Sequence, residues 1–209
     1  MFTVKKSMYS LVLMDDVVRA VDEEAYRLGT SRSNLINRIL AEQFSCVTPE
    51  MHMQEIFSAV PDMLNTGFVI QPNRSGNMMT VRAALRYKYR PTVNYRVELD
   101  RIPDVYFGTL RVQIRTQNIQ LINMFGDFIS YWVENERNVL NMPYEAAVSP
   151  TVFTRRLINN SMRSDEETGK AICSYISLMH RSITSYFSGD SDYISCGNEL
   201  RSLIKEKII

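Results

Sequence analysis

No uninterrupted apolar run in this chain approaches the ~20 residues that a bilayer span needs, so no membrane-spanning segment is expected. Met1 to Lys6 contains two lysines, but the apolar stretch behind it is broken by Ser10 and then by Asp15 and Asp16, too soon for a signal-peptide core. Cysteine is scarce: Cys46, Cys173 and Cys196 form no Cys-x-x-Cys pair, and only His52 and His180 could join them as metal ligands. Neither a disulfide framework nor a zinc site is expected, which fits a cytoplasmic protein with reduced thiols. Also missing are a phosphate-binding glycine loop, a dinucleotide fingerprint, His-Glu-x-x-His and Gly-x-Ser-x-Gly. His180 has no nucleophile tied to it by sequence, His52 reads as a surface or packing residue, and Gly189 to Asp192 reads as a turn rather than a calcium loop. No catalytic residue, metal or other cofactor is assigned, and the chain reads as not an enzyme.

What is present is an ordinary globular composition, 209 residues of which 45% are hydrophobic and 22% charged, with a formal net charge of +1. The near-neutral total hides a segregation. Residues 1–47 hold six basic and six acidic side chains, and residues 48–71 hold three acidic ones. Residues 72–116 hold nine basic against three acidic, whereas residues 117–209 hold nine against eleven. An anionic partner would therefore meet the third segment, whatever the net charge says.

The first 45 residues divide into a strand, a helix, a turn and a second helix. Met8 to Leu13 alternates, with Tyr9, Leu11 and Leu13 on one side and Met8, Ser10 and Val12 on the other. Asp15 or Asp16 can cap a helix carrying Val17, Val18, Val21, Ala25 and Leu28, which Gly29 stops. Ser31 caps a second helix with Leu35, Ile36, Ile39, Leu40 and Phe44 along its apolar stripe. A lone strand leaves unpaired backbone on both edges, and two short helices enclose little core; pairing two copies of the strand answers both problems.

In the order and spacing of these parts the segment resembles the ribbon-helix-helix DNA-binding proteins of the Arc, MetJ and CopG type. The resemblance covers about a fifth of the chain, resting on Met8 to Leu13, on Leu28-Gly29, and on Thr30-Ser31-Arg32-Ser33 with Ile36 behind it. It implies a dimer whose paired strands enter the major groove of double-stranded DNA, with Met8, Ser10 and Val12 facing the bases. It also implies phosphate contacts at the N-terminus of the second helix, by Ser31, Arg32 and Ser33, with Lys5 and Lys6 flanking the strand. Of the three base-facing positions only Ser10 can hydrogen-bond, a departure from the arginine, lysine, asparagine or glutamine forks that usually read bases.

Beyond residue 47 a helix is expected over about 49–60, then a loop from Gln71 to Asn77. Three alternating runs follow, Thr80 to Arg90, Val93 to Leu99 and Leu110 to Arg115, which predict an antiparallel meander over 80–116 with one apolar face. Tyr87, Tyr89 and Tyr95 are in phase with that face. The other face would carry Arg82, Arg86, Lys88, Arg96, Arg111 and Arg115, read either as a solvated surface or as an anion-binding one. Helices are expected from Gln117 to Asn141, from Ser149-Pro150 to about Met162, from Ser164 to about Phe187, and from Asn198 to Lys207.

The expected fold class is α+β: a ribbon-helix-helix module over 1–47, dimeric through its strand, and an α+β domain over 48–209. The second domain would comprise helix and loop over 48–79, the meander over 80–116 and helices over 117–209, serving sensing, oligomerisation or partner docking. The expected function is a DNA-binding transcriptional regulator, a repressor or autoregulator, acting as a homodimer or higher homo-oligomer, with a protein partner or small effector at the larger domain. The alternative is a non-enzymatic dimeric interaction protein, such as a partition, antitoxin-like or phage accessory factor, that uses the module chiefly to dimerise.

Overall fold

In the order of the chain, α1 (Asp15–Leu28), α2 (Arg32–Gln43) and α3 (Pro49–Ser58) precede four strands, β1 (Phe68–Pro72), β2 (Met78–Ala84), β3 (Thr92–Leu99) and β4 (Tyr106–Arg115). Then come α4 (Ile119–Arg137), β5 (Ala146–Ser149), β6 (Val152–Ile158), α5 (Asp165–Ser188) and α6 (Asp192–Lys205). The computed structural model describes residues 8–44, 46, 48–58, 60, 67–72, 76–138, 140, 144–159 and 162–205. The protein is thus a mixed α+β chain built on a single antiparallel sheet with strand order β1-β2-β3-β4-β6-β5.

The central strands follow their alternation closely. Val81, Ala83, Val93, Tyr95, Val97, Leu110, Val112 and Ile114 point into the core, and Arg82, Arg96, Arg111 and Arg115 are exposed on the opposite face. One layer of helices covers the apolar face. Phe125, Phe128, Ile129 and Trp132 of α4, Ile176, Met179 and Ile183 of α5, Cys196 and Leu200 of α6, and Met53 and Ile56 of α3 share one cluster with the inward strand residues. Burying each such large side chain contributes about 1.5–3 kcal/mol. Local signals end these helices where they should: Asn118 accepts from the Gln120 and Leu121 N–H groups, Ser164 and Glu167 form a reciprocal capping box, and Gly189 closes α5 in the left-handed region at φ 73°.

Four expectations need correction. The first run stops at Ala84 rather than Arg90, because residues 85–91 form the β2–β3 turn with Tyr89 and Arg90 at φ 67° and 43°. Arg86 and Lys88 therefore leave the sheet face, and Tyr89 is exposed rather than in the core. The helix expected over 150–162 is the β5–β6 hairpin; Phe153, Arg155 and Leu157 alternate inward, and an arginine at a core position disguised the period. The meander is the centre of six strands, with β1 added at one edge, where Pro72 ends the strand without cost to an inner ladder. Finally, α6 starts at Asp192, six residues before the expected Asn198.

The N-terminal helices stand apart from this core. Only Ala25, Leu35 and Ala41 are buried in α1 and α2, and none of them belongs to the main cluster. Residues 8–14 lie outside helix and strand and are exposed throughout, so the strand expected there does not form within one chain. Its backbone has no neighbouring strand to pair with among the described residues.

Candidate nucleic-acid interface

Register decides what the outward face of the sheet can do. Arg96 lies directly opposite Arg111 across β3 and β4, and Asn94 lies opposite Gln113. Asn94 also faces Arg82 on β2, and Thr92 faces Arg115. With strands about 4.8 Å apart and same-face residues about 6.7 Å apart along each strand, Arg82, Arg96, Arg111 and Arg115 ring the Asn94–Gln113 pair. Among the described residues no carboxylate pairs with any of the four. Arg156 on β6 differs, being bonded to Asp100 at 2.6 Å and to the Thr109 hydroxyl at 2.8 Å. The two carboxamides were missing from the expected site, although they share the arginines' phase in the alternation.

Like charges directly opposite across a strand pair are destabilising. A second ring of acid would relieve Arg96 and Arg111, but Glu98 is the only acidic residue among the outward positions of β2, β3 and β4 from Thr109 onward, and it faces Met78 and Thr109. No aromatic occupies those positions either. Such a surface suits an oxyanion better than a base plane.

The N-terminal segment offers a different geometry. Gly29, at φ 62°, ends α1 with its N–H on the Tyr26 carbonyl, and Thr30 N–H reaches Ala25 O at 2.9 Å. Ser31 then caps α2, its hydroxyl accepting from Asn34 N–H at 3.2 Å, while Ser33 stays exposed. Arg32 is not free: it forms an ion pair with Asp22 of α1 and so ties the two helices together. Met8, Ser10 and Val12 are exposed, Met8 and Val12 fully. Lys5 and Lys6 lie outside the described residues.

The N-terminus of α2 lines a cleft of about 740 Å³ together with α3, Arg101 and the start of β2. Met78, the first outward residue of β2, borders the same cleft as Gly29, Thr30 and Ser31. The cleft reaches the sheet at Met78, which lies opposite Glu98, and none of the four sheet arginines is among its lining residues.

Polar groups elsewhere serve the core. Glu136 of α4 accepts from the Arg155 guanidinium at 2.6 Å, from Tyr175 at 2.6 Å and from Tyr144 at 2.5 Å, and Trp132 Nε1 donates to the Tyr175 hydroxyl at 2.8 Å. Burial is the largest influence on Arg155 and works against its charge, but the Glu136 carboxylate with Tyr175 and Tyr144 together outweigh it and raise the guanidinium above its usual range. His180, 3.0 Å from the Tyr95 hydroxyl and edge-on to Phe68, is pushed down to about 4 by burial. Burial likewise pushes the Cys173 thiol up to about 12. His52 pairs with Asp165 at 2.5 Å on the surface of α3 and α5. Among the described residues no three His, Cys, Asp or Glu side chains could share a metal ion, and no helix is long and apolar enough to cross a membrane. Compared with protein-family models, curated proteins and solved structures, the chain matches none of them.

Proposed function

We propose that this protein is a DNA-binding transcriptional regulator whose first 45 residues form a ribbon-helix-helix module, dimeric through residues 8–13. The observation that carries the reading is the unmatched apolar surface of that segment. Val17 and Ile39 are exposed at the rim of a groove between α1 and α2 that Ala20, Val21 and Leu35 also line, and Leu11, Leu13, Val18 and Phe44 of the same segment are exposed as well. A second copy would cover these side chains and supply the missing strand partner in one step. In such a dimer Met8, Ser10 and Val12 reach the major groove, and the free N–H groups of Arg32 and Ser33 hold phosphates on either side.

Ser33→Glu separates binding from folding. A carboxylate in the first turn of α2 favours the helix, yet it repels a phosphate approaching the same N–H groups. Binding to the gene's own promoter duplex should fall by at least about tenfold, with helicity unchanged. Unaltered affinity would sink the phosphate role of this helix. Leu11→Asn should shift the protein from dimer to monomer in sedimentation equilibrium and weaken DNA binding with it.

The apolar character of Met8 and Val12 favours a second reading, an interaction protein in which the module only dimerises. A dimer that binds no duplex, at 50 or at 200 mM salt, would decide for it.

A further inference from the structure

We propose that the uncovered face of the sheet is a second nucleic-acid surface, in which Arg82, Arg96, Arg111 and Arg115, ringed about Asn94 and Gln113, hold the phosphates of a sugar-phosphate backbone. It shares the nucleic-acid reading given above but rests on different residues, more than thirty positions from the module.

Three observations converge on it. The first is the placement of Arg96 opposite Arg111 with no carboxylate paired to either among the described residues, an arrangement that weakens the free protein and is relieved when an anion sits between the guanidiniums. The second is the supply of donors. The four guanidiniums and two carboxamides lie within a patch of about 10 by 13 Å, and Thr80, Thr92 and Thr109 add hydroxyls at its margin. The third is what the patch lacks. Protein interfaces are anchored by buried aromatic or aliphatic side chains, whereas the outward positions of β2, β3 and β4 from Thr109 onward hold no aromatic and only Met78 and Ala84 as apolar groups, both at the ends of β2, with Val69 of β1 and Val152 of β6 flanking the patch opposite Arg82 and Gln113. A flat, polar, cationic surface without stacking residues is suited to backbone contact and poor at reading sequence.

Position adds direction. The face begins at Met78, opposite Glu98, where it borders the cleft shared with the α2 N-terminus, and Arg96 is the next outward residue along β3 from that end. The larger domain would then lengthen the DNA footprint through phosphates without adding base specificity, and the module would set the register.

The test compares the full chain, a sheet variant (R82Q/R96Q/R111Q/R115Q) and the module variant Ser33→Glu. Each is titrated by fluorescence anisotropy with random-sequence duplex DNA, duplex RNA, single-stranded DNA and polyglutamate between 50 and 200 mM salt. Each lost phosphate contact should reduce the magnitude of the log K against log salt slope by about 0.9 on duplex DNA, so the sheet variant should lose about 3 to 4 from that slope. Its affinity at 50 mM salt should drop by at least about tenfold, and its melting temperature should not fall, because the like-charge pair is gone. RNA and DNA arms that fall together identify the shared phosphate chemistry; an effect on one alone names that nucleic acid. Wild-type binding with an unchanged slope in the sheet variant overturns this proposal and leaves the module standing. A loss in the sheet variant with none in Ser33→Glu supports the proposal while removing the module's phosphate role. Equal affinity for polyglutamate and DNA, or no nucleic acid bound at 50 mM salt, overturns it outright, the former in favour of an acidic protein segment.

Discussion

Arg155 of β6 and Glu136 of α4 form a fully buried ion pair, 2.6 Å between Nη1 and Oε1, which joins the sheet to its helical cover. The guanidinium also lies over the rings of Tyr175 at 5.0 Å and Tyr144 at 5.8 Å, and both phenols donate to the same carboxylate. Arg155 Nη2 has no hydrogen-bond partner among the described residues. Satisfaction on the acid side is thus nearly complete, and on the arginine side it is not.

Removing one member of this pair should therefore be costly. Glu136→Gln and Arg155→Met are each expected to destabilise the protein by about 3–5 kcal/mol, since each strands a buried partner. The double variant should lose clearly less than the sum. Urea denaturation of all four proteins measures the coupling, and simple additivity would mean that the pair contributes nothing beyond its packing.

His180 gives the fold a pH dependence of known sign. Its pKa is depressed by burial to about 4, against 6.5 for the unfolded chain, so between those values the unfolded state binds the extra proton. Its contribution is complete above about pH 6.5 and is lost as pH falls toward 4, at most about 3 kcal/mol over the window. Tyr95 contacts the ring, and Arg86, Arg181, Asp190 and Glu199 line the same cleft. Replacing His180 by Phe should flatten the stability profile between pH 4.5 and 6.5, read by urea denaturation at each pH; an unchanged slope would assign the dependence elsewhere.

Much of this architecture was legible because local chemistry and long-range packing agree in it. Ser164 and Glu167 announce α5 by their spacing, and Val81 to Ile114 announce the central strands by phase. Arg155 hid β6, because an arginine at an inward position makes a strand read as patternless unless its partner Glu136, nineteen residues earlier, is known to be beside it. The β2–β3 turn was hidden for another reason. Tyr89 and Arg90 adopt positive φ, a conformation that neither residue type advertises. The candidate sheet site was half legible: alternation placed the arginines on one face, but register places Arg82 opposite Asn94 across the β2–β3 turn and Arg96 opposite Arg111 across the β3–β4 connection, and phase alone does not give it.

Gly108 tests how tightly that register is held. A β-bulge separates Tyr106 from Gly108, and a Cβ at Gly108 would come within 2.5 Å of the Glu98 carbonyl oxygen and 3.2 Å of Leu99 Cα. Both obstacles are backbone or adjoin it, so relief requires β3 to move. Gly108→Ala should cost about 1–3 kcal/mol, the usual range for overpacking. Thermal denaturation would check it; a neutral result would show that β3 and β4 can slide apart locally.

The last expectation concerns the chain's two levels of stability. Residues 15–43 bury only Ala25, Leu35 and Ala41, against a cluster of more than thirty residues that holds the sheet to α3–α6. An isolated pair of short helices with so little core is marginal, so its stability must come from whatever covers Leu11, Val17, Val18 and Ile39. If that cover is a second copy, denaturation should show two transitions. The first should be confined to the N-terminal segment and move to higher urea as protein concentration rises, and the second should be independent of concentration. A tryptophan probe isolates the second, because Trp132, the sole tryptophan, is buried in the main cluster, while far-ultraviolet circular dichroism reports both. A single transition at every concentration would show that the helices are held by their own chain, and the dimeric module would have to be abandoned.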